Sequence, residues 1–504
     1  MSLYAEGEQV YAHRPLRRTQ HLAGDRRPRI DLRRSFLLAA GVLTCLILAY
    51  ILDTRGMTYA LLAVALPLAV WWVIRRPGNG LLGAVAALLV LPYWYAHIWL
   101  VVPTLGALGL VRGIARSRLR ALDCVMFLLV SAFIASWALH RSLGVPSRWF
   151  IQGILPFGLY AWARLSLTER LLARVQWVIL LAGAVGACTV LYEAASGHAI
   201  FIDPLTYEWK GSISSIFRAG GVFGGAPTAA TALAMVFLVS APLVRGHRRA
   251  VGALLLVILA GMLVTFDRAG LLGLIGGGVV FAVLLPYRRW GRVALVAFAL
   301  CIAAYAVTTS SSTLASLSTS KLVSRGIIRS NTIQARSALA SSAFQVIGET
   351  TSSIAFGHGF DVFFGRGALP ETVAQEPYLR QSGGPNDEYL RALLEQGIVG
   401  LALELAWLLG SVYLGVRTCL RIDPGSSRRA ITAGLTAATV CFLLAAAGHD
   451  MAHNVAALSV AALMTGLLVS VCSLPWQSPP HQPERDCSAE GWIGASANTN
   501  SRAG

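Results

Sequence analysis

The chain has 504 residues, of which 56% are hydrophobic and 13% are charged. Its mean hydropathy is +0.62, and a water-soluble protein of this length could not hide so much apolar surface, so we expect a polytopic membrane protein. The net charge of +18 would suggest nucleic acid if the positive residues lay on one soluble face. They fall instead in the short gaps between apolar runs, as positive residues do at the cytoplasmic ends of membrane spans, so no nucleic-acid partner is expected.

The first 34 residues are polar and basic, and they lack the small-residue cleavage site of a signal peptide. We expect residues 1–34 to form a disordered cytoplasmic arm whose Arg cluster rests on anionic headgroups of the bilayer. The eight cysteines lie in apolar runs, near predicted cytoplasmic ends and in the tail. None lies in the long polar loop, so neither a disulfide nor a cysteine metal site is indicated.

Apolar runs of about 17 to 20 residues, the length that crosses a bilayer, recur along the rest of the chain. They predict an all-α polytopic integral membrane protein with about 12–14 transmembrane helices, grouped in residues 35–307 and 389–473. The predicted spans are 35–52, 57–74, 81–111 (broken at Pro92 and Tyr93 into two short helices), 123–139, 149–163, 175–191, 226–244, 251–266, 270–285, 293–307, 389–414, 431–447 and 455–471.

The turns between these spans alternate in charge. With the N-terminus in the cytoplasm, the turns on the cytoplasmic side are all basic, and the intervening turns are mostly poorer in arginine, apart from the one that holds Arg141 and Arg148. The basic turns are 75–80, 111–120, 163–174, 244–249, 287–292 and 417–429. This pattern places a smaller loop, 194–225, and one large loop, 308–388, outside the cytoplasm. The tail, 474–504, is rich in Pro and Ser and is expected to be disordered in the cytoplasm.

Arginines on the outer side depart from this pattern and are therefore informative. Guanidinium groups bind phosphate oxygens in bidentate fashion and stay charged at physiological pH, so several of them at the outer surface would suit a lipid-pyrophosphate headgroup. The alternative is that some are interfacial anchors or pair with Asp267 and Glu388. The outward arginines proposed for this role are Arg218, Arg268, Arg325, Arg329 and Arg336.

Two glycine-rich segments need separate interpretations. The first, GGVFGGAPTAA, follows Arg218; it has no preceding strand and no P-loop lysine, so nucleotide binding is not predicted. Its glycines, Gly221, Gly224 and Gly225, predict a tight loop before a helix N-terminus, a place that favours anions. The second, GLIGGGVVF, predicts close helix packing through small residues.

The large loop re-enters the membrane through Asn386, Asp387, Glu388 and Tyr389. Asp387 and Glu388 are candidates for the general base, and so is His358 in FGHGF.

Spacing offers a structural alternative for part of this region. Glu388, Arg391 and Glu395 share one helix face, which predicts mutual ion pairing, and for Arg391 and Glu395 we favour that pairing. Glu404 lies inside a span, where an ionisable residue is functional by default although it can simply pair nearby. The turn with His449, Asp450 and His453 offers a single carboxylate and no fixed geometry, so no metal site is predicted there.

Four segments, in order, resemble the bacterial O-antigen ligase and O-antigen (exopolysaccharide) polymerase superfamily. The run NDEYLRALLEQGIVGLALELAWLL, residues 386–409, looks like its re-entry motif, with Asn386 and Tyr389 in place. Arg336 with the amphipathic stretch that ends in FGHGF, Arg218 with AGGVFGG, and Arg268 in FDRAGLLGL resemble its other motifs, with Asp267 where Ser is usual. The resemblance covers roughly residues 120 to 475.

The resemblance implies a GT-C-like glycosyltransferase in the bacterial inner membrane that needs no metal and no other cofactor. Its donor would be an undecaprenyl-pyrophosphate-linked oligosaccharide, with the pyrophosphate on Arg218, Arg268 and Arg336 and with Arg325 and Arg329 nearby. A base would deprotonate the acceptor hydroxyl while the pyrophosphate leaves. A chain-length regulator and a flippase of the same pathway are candidate partners.

One departure from the motif bears on the reaction. The ligase branch has a His at the re-entry, where this chain has Pro385 or Asn386. The missing His favours a polymerase of O-antigen, capsule or exopolysaccharide units over a ligase that transfers glycan to lipid A core. A transporter or flippase is the third alternative. Transporters place polar residues at the bilayer midplane in repeated halves, whereas the unusual charges of this chain lie at the outer lip, apart from Glu404.

Overall fold

The computed structural model describes residues 75–92, 120–139, 147–200, 219–245, 247–285, 340–341, 343–347, 351–359, 387–449 and 455–474. These residues belong to one compact unit, residues 70–504. The predictions for residues 1–74, for the span 293–307 and for the tail after Leu474 lie outside the described residues. So do Arg218, Arg325, Arg329, Arg336, Pro385, Asn386, Asp450 and His453.

Every regular element within the described residues is helical, which confirms the all-α prediction. The helices are α1 (Pro77–Val90), α2 (Ala121–Leu139), α3 (Ser147–Ser166), α4 (Glu169–Ser196), α5 (Ala226–Ser240), α6 (Arg248–Leu263), α7 (Arg268–Leu284), α8 (Thr351–Phe356), α9 (Glu388–Arg421), α10 (Ser427–Ala446) and α11 (Val455–Ser473). Two 3₁₀ turns, Gly221–Phe223 and Ala241–Arg245, flank α5. Residues 340–341 and 343–347, in the predicted amphipathic stretch, are also helical.

Five of these helical segments are long and apolar enough to cross a membrane. They are Glu169–Ser196, Ala226–Val244, Glu388–Arg421, Ser427–Ala446 and Ala456–Ser473. Shorter apolar helices accompany them at Pro77–Val90, Ala121–Ser136 and Arg268–Leu284. The protein is thus a polytopic helical membrane protein, as the apolar runs predicted.

Two helices run further than the apolar runs indicate. Helix α4 begins at Glu169 and ends at Ser196, so the first residues of the predicted loop 194–225 are still helical. Helix α9 continues to Arg421, beyond the predicted end of its span at residue 414. The extra turns of both helices are polar or mixed in composition. They are helical because a helix that has been nucleated in an apolar span propagates into neighbouring residues of good helix propensity.

Helix α5 lies at the centre of the unit, and almost all of its side chains are buried. Glycines of α7 allow its backbone to pack closely against the backbone of α10. A Cβ on Gly273 would lie 2.5 Å from the carbonyl oxygen of Cys441, and one on Gly277 would lie 2.6 Å from that of Ala437. The segment GLIGGGVVF is therefore a helix-packing surface, as predicted.

The helix ends separate into two groups. At one end, which we call the basic end, α2 and α3 are joined by the ion pair of Asp123 with Arg164, 3.4 Å apart. Arg429 binds the carbonyl oxygens of Leu284 and Ile422 there, each at 3.1 Å. The described arginines at or near this end are Arg75, Arg76, Arg120, Arg164, Arg170, Arg174, Arg245, Arg248, Arg249, Arg417, Arg421, Arg428 and Arg429.

The opposite end, which we call the loop end, carries the ends of the helices that adjoin the two predicted external loops. Helices α4, α6 and α10 end there, and α5, α7, α9 and α11 begin there. Among the described residues, the arginines at this end are Arg148, Arg268 and Arg391. The described helices thus reproduce the alternation of basic and arginine-poor turns that the sequence predicts.

Candidate functional site

The glycine-rich segment after Arg218 forms a tight loop at the loop end of the bundle. Gly221 and Gly224 have positive φ values of 52° and 77°; Gly221 begins a single 3₁₀ turn, and Gly224 directly follows it. Helix α5 starts directly afterwards, with Gly225 at its N-cap and Pro227 in its first turn. The predicted tight loop before a helix N-terminus is therefore confirmed.

A buried carboxylate, Glu193, fixes this loop. Its Oε2 accepts hydrogen bonds from the amides of Gly220 at 3.0 Å and Gly221 at 2.8 Å, and its Oε1 accepts one from Ile200 at 3.0 Å. The Thr189 hydroxyl accepts a further bond from the Val222 amide at 3.2 Å. Charge-assisted bonds to backbone amides are strong, so Glu193 sets the conformation of the segment that directly follows Arg218.

Glu193 lies outside the motifs and the candidate residues that the sequence indicates. A signal was present, because an acidic residue that falls in the last turn of an apolar run is poorly placed for the helix dipole and needs a specific partner. Here the side chain is 1% exposed, and the loop 27 and 28 residues further along supplies amide partners. The neighbouring Ile200 amide completes the three bonds.

Asp267 and Arg268 lie at the first turn of α7. Asp267 Oδ2 accepts a hydrogen bond from the Gly270 amide at 2.7 Å and so caps the helix. Its Oδ1 lies 2.7 Å from Nε2 of His449, in the turn after α10. Arg268 is half-buried beside this pair, at the start of the helix. Asp267 is thus bound to His449 and to its own helix.

The re-entry helix α9 begins with a capped and charged turn. Asp387 Oδ1 accepts hydrogen bonds from the amides of Tyr389 at 2.9 Å and Leu390 at 3.1 Å. Arg391 forms buried ion pairs with Glu388 on one side and Glu395 on the other. The predicted pairing of Arg391 with Glu395 is confirmed, and Glu388 belongs to the same three-residue network.

Helix α9 is broken at Gly397, where the backbone has φ 68° and ψ −168°. The break leaves carbonyl oxygens without helical partners, and other segments bind them. The Glu395 carbonyl accepts bonds from the Ser136 hydroxyl at 2.6 Å and from the Gly359 amide at 3.1 Å. The Leu394 carbonyl accepts one from the His358 amide at 2.9 Å. The FGHGF motif therefore docks its backbone on the interrupted span.

This docking explains the two glycines in contact at the break. A Cβ on Gly357 would clash with the Glu395 carbonyl group, and one on Gly397 would clash with that of Ala355. Both residues have positive φ, which side chains disfavour. His358, held between Gly357 and Gly359, is 3% exposed at this junction.

Three close contacts bring these features together at the loop end. A Cβ on Gly270 of α7 would lie 2.5 Å from the Ala230 side chain, one turn into α5. A Cβ on Gly448 would lie 2.7 Å from the Ala269 side chain. The Tyr389 hydroxyl donates to the Leu443 carbonyl at 2.6 Å and joins the start of α9 to the end of α10. Arg268, the loop after Arg218 and the re-entry turn thus share one end of the bundle.

Other predicted residues are placed differently. Glu404 is buried within α9, about four turns from the re-entry turn. Within the described residues, no three His, Cys, Asp or Glu side chains come together as a metal site. Asn386 lies outside the described residues, as do the arginines of the large loop.

The helical bundle defines a multi-pass membrane protein. Residues 252–405 match a family model described as O-antigen ligase. This match supports the resemblance to the O-antigen ligase and polymerase superfamily that the four motifs indicated. The matched region includes Arg268 and the re-entry helix as far as Leu405. A search of curated proteins returned no match.

Proposed function

We propose that this protein is a polysaccharide polymerase that joins undecaprenyl-pyrophosphate-linked oligosaccharide repeat units at the outer face of the bacterial inner membrane. The observation that carries the proposal is the meeting at the loop end of Arg268, the loop that follows Arg218 and the re-entry turn of α9. The family match spans two of these three features. The N-terminus lies in the cytoplasm in this proposal, and the large loop faces away from it.

The proposed reaction is a direct displacement at the anomeric carbon. A base removes the proton of an acceptor hydroxyl, the oxygen bonds to C1, and the C1–oxygen bond to the pyrophosphate breaks. Arg218, Arg268 and Arg336, with Arg325 and Arg329, bind the pyrophosphate and stabilise its growing charge. The leaving group supplies the energy, so the reaction needs neither a nucleotide sugar nor a metal.

Asp387, Glu388 and His358 were the sequence candidates for the base, and their surroundings differ. Glu388 is 1% exposed and is bound to Arg391. His358 is nearly as buried, at the break in α9. Asp387 is half-buried at the start of the helix and caps it through one oxygen, Oδ1. Of the three, Asp387 is the most exposed.

Alanine substitution of the arginines tests the site. In Arg218→Ala, Arg268→Ala and Arg336→Ala strains we expect long-chain polysaccharide to disappear while the protein remains at wild-type abundance. Arg248→Ala, at the exposed start of α6 on the basic end, is the matched control and should leave chain length unchanged. Long chains that persist in all three variants would contradict this site.

Ligation is the second candidate, and one observation favours it: the matching family model is described as O-antigen ligase. The residue at the re-entry favours polymerisation, since Asn386 cannot act as a base where the ligase branch has His. Deletion of the gene distinguishes the two. Loss of a polymerase leaves single repeat units that are still transferred to their acceptor, whereas loss of a ligase leaves finished polymer on its lipid carrier.

The orientation and the partners are also proposals. Reporter fusions after residue 425, in the basic turn between α9 and α10, should be active only as cytoplasmic reporters. Fusions after residue 449 should be active only as extracytoplasmic ones. A chain-length regulator and a flippase of the same pathway are the expected protein partners, and their co-purification with the full-length chain in mild detergent would support that.

A further inference from the structure

A histidine and a buried carboxylate from distant parts of the chain meet at the loop end. His449 Nε2 lies 2.7 Å from Asp267 Oδ1, although the two residues are 182 positions apart. The Asp267 side chain is 2% exposed and that of His449 is 13% exposed. The carboxylate is therefore buried, whereas part of the imidazole is exposed at the surface.

The pairing fixes which ring nitrogen can accept a proton. A carboxylate only accepts hydrogen bonds, so the nitrogen that faces Asp267, Nε2, carries the hydrogen. Nδ1 then holds the lone pair and can take a proton. The second oxygen of Asp267 is bound to the Gly270 amide, which prevents the carboxylate from turning away. A neutral imidazole held in one tautomer by a buried carboxylate is the arrangement of a general base.

His449 closely follows α10, and the last residues of this segment contact both features that the proposed function uses. Its neighbour Gly448 packs against Ala269, the residue after Arg268. On the other side, Leu443 in the last turn of α10 accepts the hydrogen bond of Tyr389, in the re-entry turn. These contacts bring His449 to the same end of the bundle as Arg268 and the start of α9.

The geometry points to His449 as the general base of the proposed transfer, with Asp267 as the residue that orients it. This assignment rests on the proposed function and concerns a residue outside the region that matches the family model. Nδ1 takes the proton of the acceptor hydroxyl while the hydroxyl oxygen forms its bond to C1. The C1–oxygen bond to the pyrophosphate breaks, and its electron pair leaves with the phosphate oxygen. The imidazolium, stabilised by Asp267, then releases its proton to water.

Two substitutions test the assignment by different routes. His449→Gln removes the proton acceptor. Asp267→Asn keeps an oxygen for the Gly270 amide, and Asn is as good an N-cap as Asp, so α7 stays capped. Its amide nitrogen then faces His449 and donates to Nε2, which leaves the proton on Nδ1. The imidazole is retained but in the tautomer that cannot act as a base through Nδ1.

The assay uses the full-length protein in nanodiscs with lipid-linked repeat units from a strain that lacks this gene. Both variants should lower kcat by about 100- to 10,000-fold, the usual contribution of a general base. The KM for the donor should stay within about twofold, because the base acts on the transition state. His247→Gln, at the start of α6 on the basic end, should keep wild-type kcat.

The outcomes separate this inference from the proposed function. Chain extension by the wild type with normal kcat in both variants would overturn the assignment and leave the polymerase intact. A raised KM with unchanged kcat would also overturn it, since it indicates a binding role. If His449→Gln does not accumulate, Asp267→Asn decides the question, because its fold and its imidazole are preserved. No extension by the wild type with any lipid-linked unit would refute the polymerase, and with it this role of His449.

Discussion

The amide of His358 donates a hydrogen bond to the carbonyl oxygen of Leu394, 2.9 Å away, and so ties the large loop to the interrupted helix α9. The next amide along the loop, that of Gly359, binds the Glu395 carbonyl. A broken helix inside a membrane protein is tolerated where other segments satisfy its backbone. The break in α9 is therefore a docking point that positions one part of the large loop beside the re-entry turn.

The first prediction concerns the glycines of this docking point. Gly397→Ala should lower the thermal unfolding temperature in detergent, because it combines a strained positive φ, worth about 1–3 kcal/mol, with a clash against Ala355. Gly252→Ala in α6 is the control, since a Cβ there meets no atom within 4 Å. It should be neutral or stabilising by up to about 1 kcal/mol. Equal unfolding temperatures for the two variants would contradict the proposed role of the break.

The second prediction concerns the buried network of Glu388, Arg391 and Glu395. Arg391→Ala leaves two buried carboxylates without their cation and should cost about 3–5 kcal/mol of unfolding free energy. Removing all three charges, as Glu388→Gln, Arg391→Met and Glu395→Gln together, should cost much less. Denaturant unfolding in mixed micelles measures both.

Arg417→Ala is the matched control, because Arg417 is exposed on the same helix. It should unfold like the wild type. A triple variant as unstable as Arg391→Ala would contradict this account. It would mean that the start of α9 depends on the ion pairs themselves, and that the instability of Arg391→Ala does not come from unpaired buried carboxylates.

The third prediction concerns Glu193. Glu193→Gln has one acceptor oxygen instead of two and no charge, so its bonds to the amides of the glycine-rich loop weaken. At least one of its three amide partners also loses its acceptor, at about 1–3 kcal/mol for each unsatisfied group. Because this loop directly follows Arg218, we expect the KM for the lipid-linked donor to rise more than kcat falls. Glu169→Gln, exposed at the basic end, should change neither value. An unchanged KM in Glu193→Gln would show that the loop does not position the donor.

The fourth prediction separates structural arginines from those proposed to bind substrate. Arg429 is 8% exposed and binds carbonyl oxygens of α7 and of the residue after α9. Hydrogen bonds to charged groups are worth about 1.5–3 kcal/mol, so Arg429→Ala should reduce protein abundance and stability. The protein that does fold should polymerise with normal kinetics. Arg421→Ala, exposed nearby, should affect neither property. Normal abundance with lost activity in Arg429→Ala would contradict this structural role.

Features that depend on local periodicity and composition were predictable from the sequence. Apolar runs predicted the all-α membrane fold, the charge of the turns predicted how helix ends alternate, and spacing on one helix face predicted the ion pair of Arg391 with Glu395. The tight loop around Gly221 and Gly224 and the packing surface of α7 also followed from residue type. These features depend on interactions within a few residues or on one helix surface, and so the pattern alone specifies them.

The tertiary structure alone decided the features that depend on contacts between distant segments. In the sequence, the run around Gly397 looks like one continuous span. The break is visible only in the tertiary structure, where the backbone of residues 357–359 occupies it. Glu193 has no local motif, since two of its amide partners lie across the loop that contains Arg218. In the sequence, His449 lies in a short turn with no predicted site, and Asp267 is a possible partner of an outward arginine that stands where the superfamily motif usually has Ser. Only the packing of α7 against α10 brings the imidazole and the carboxylate within hydrogen-bonding distance.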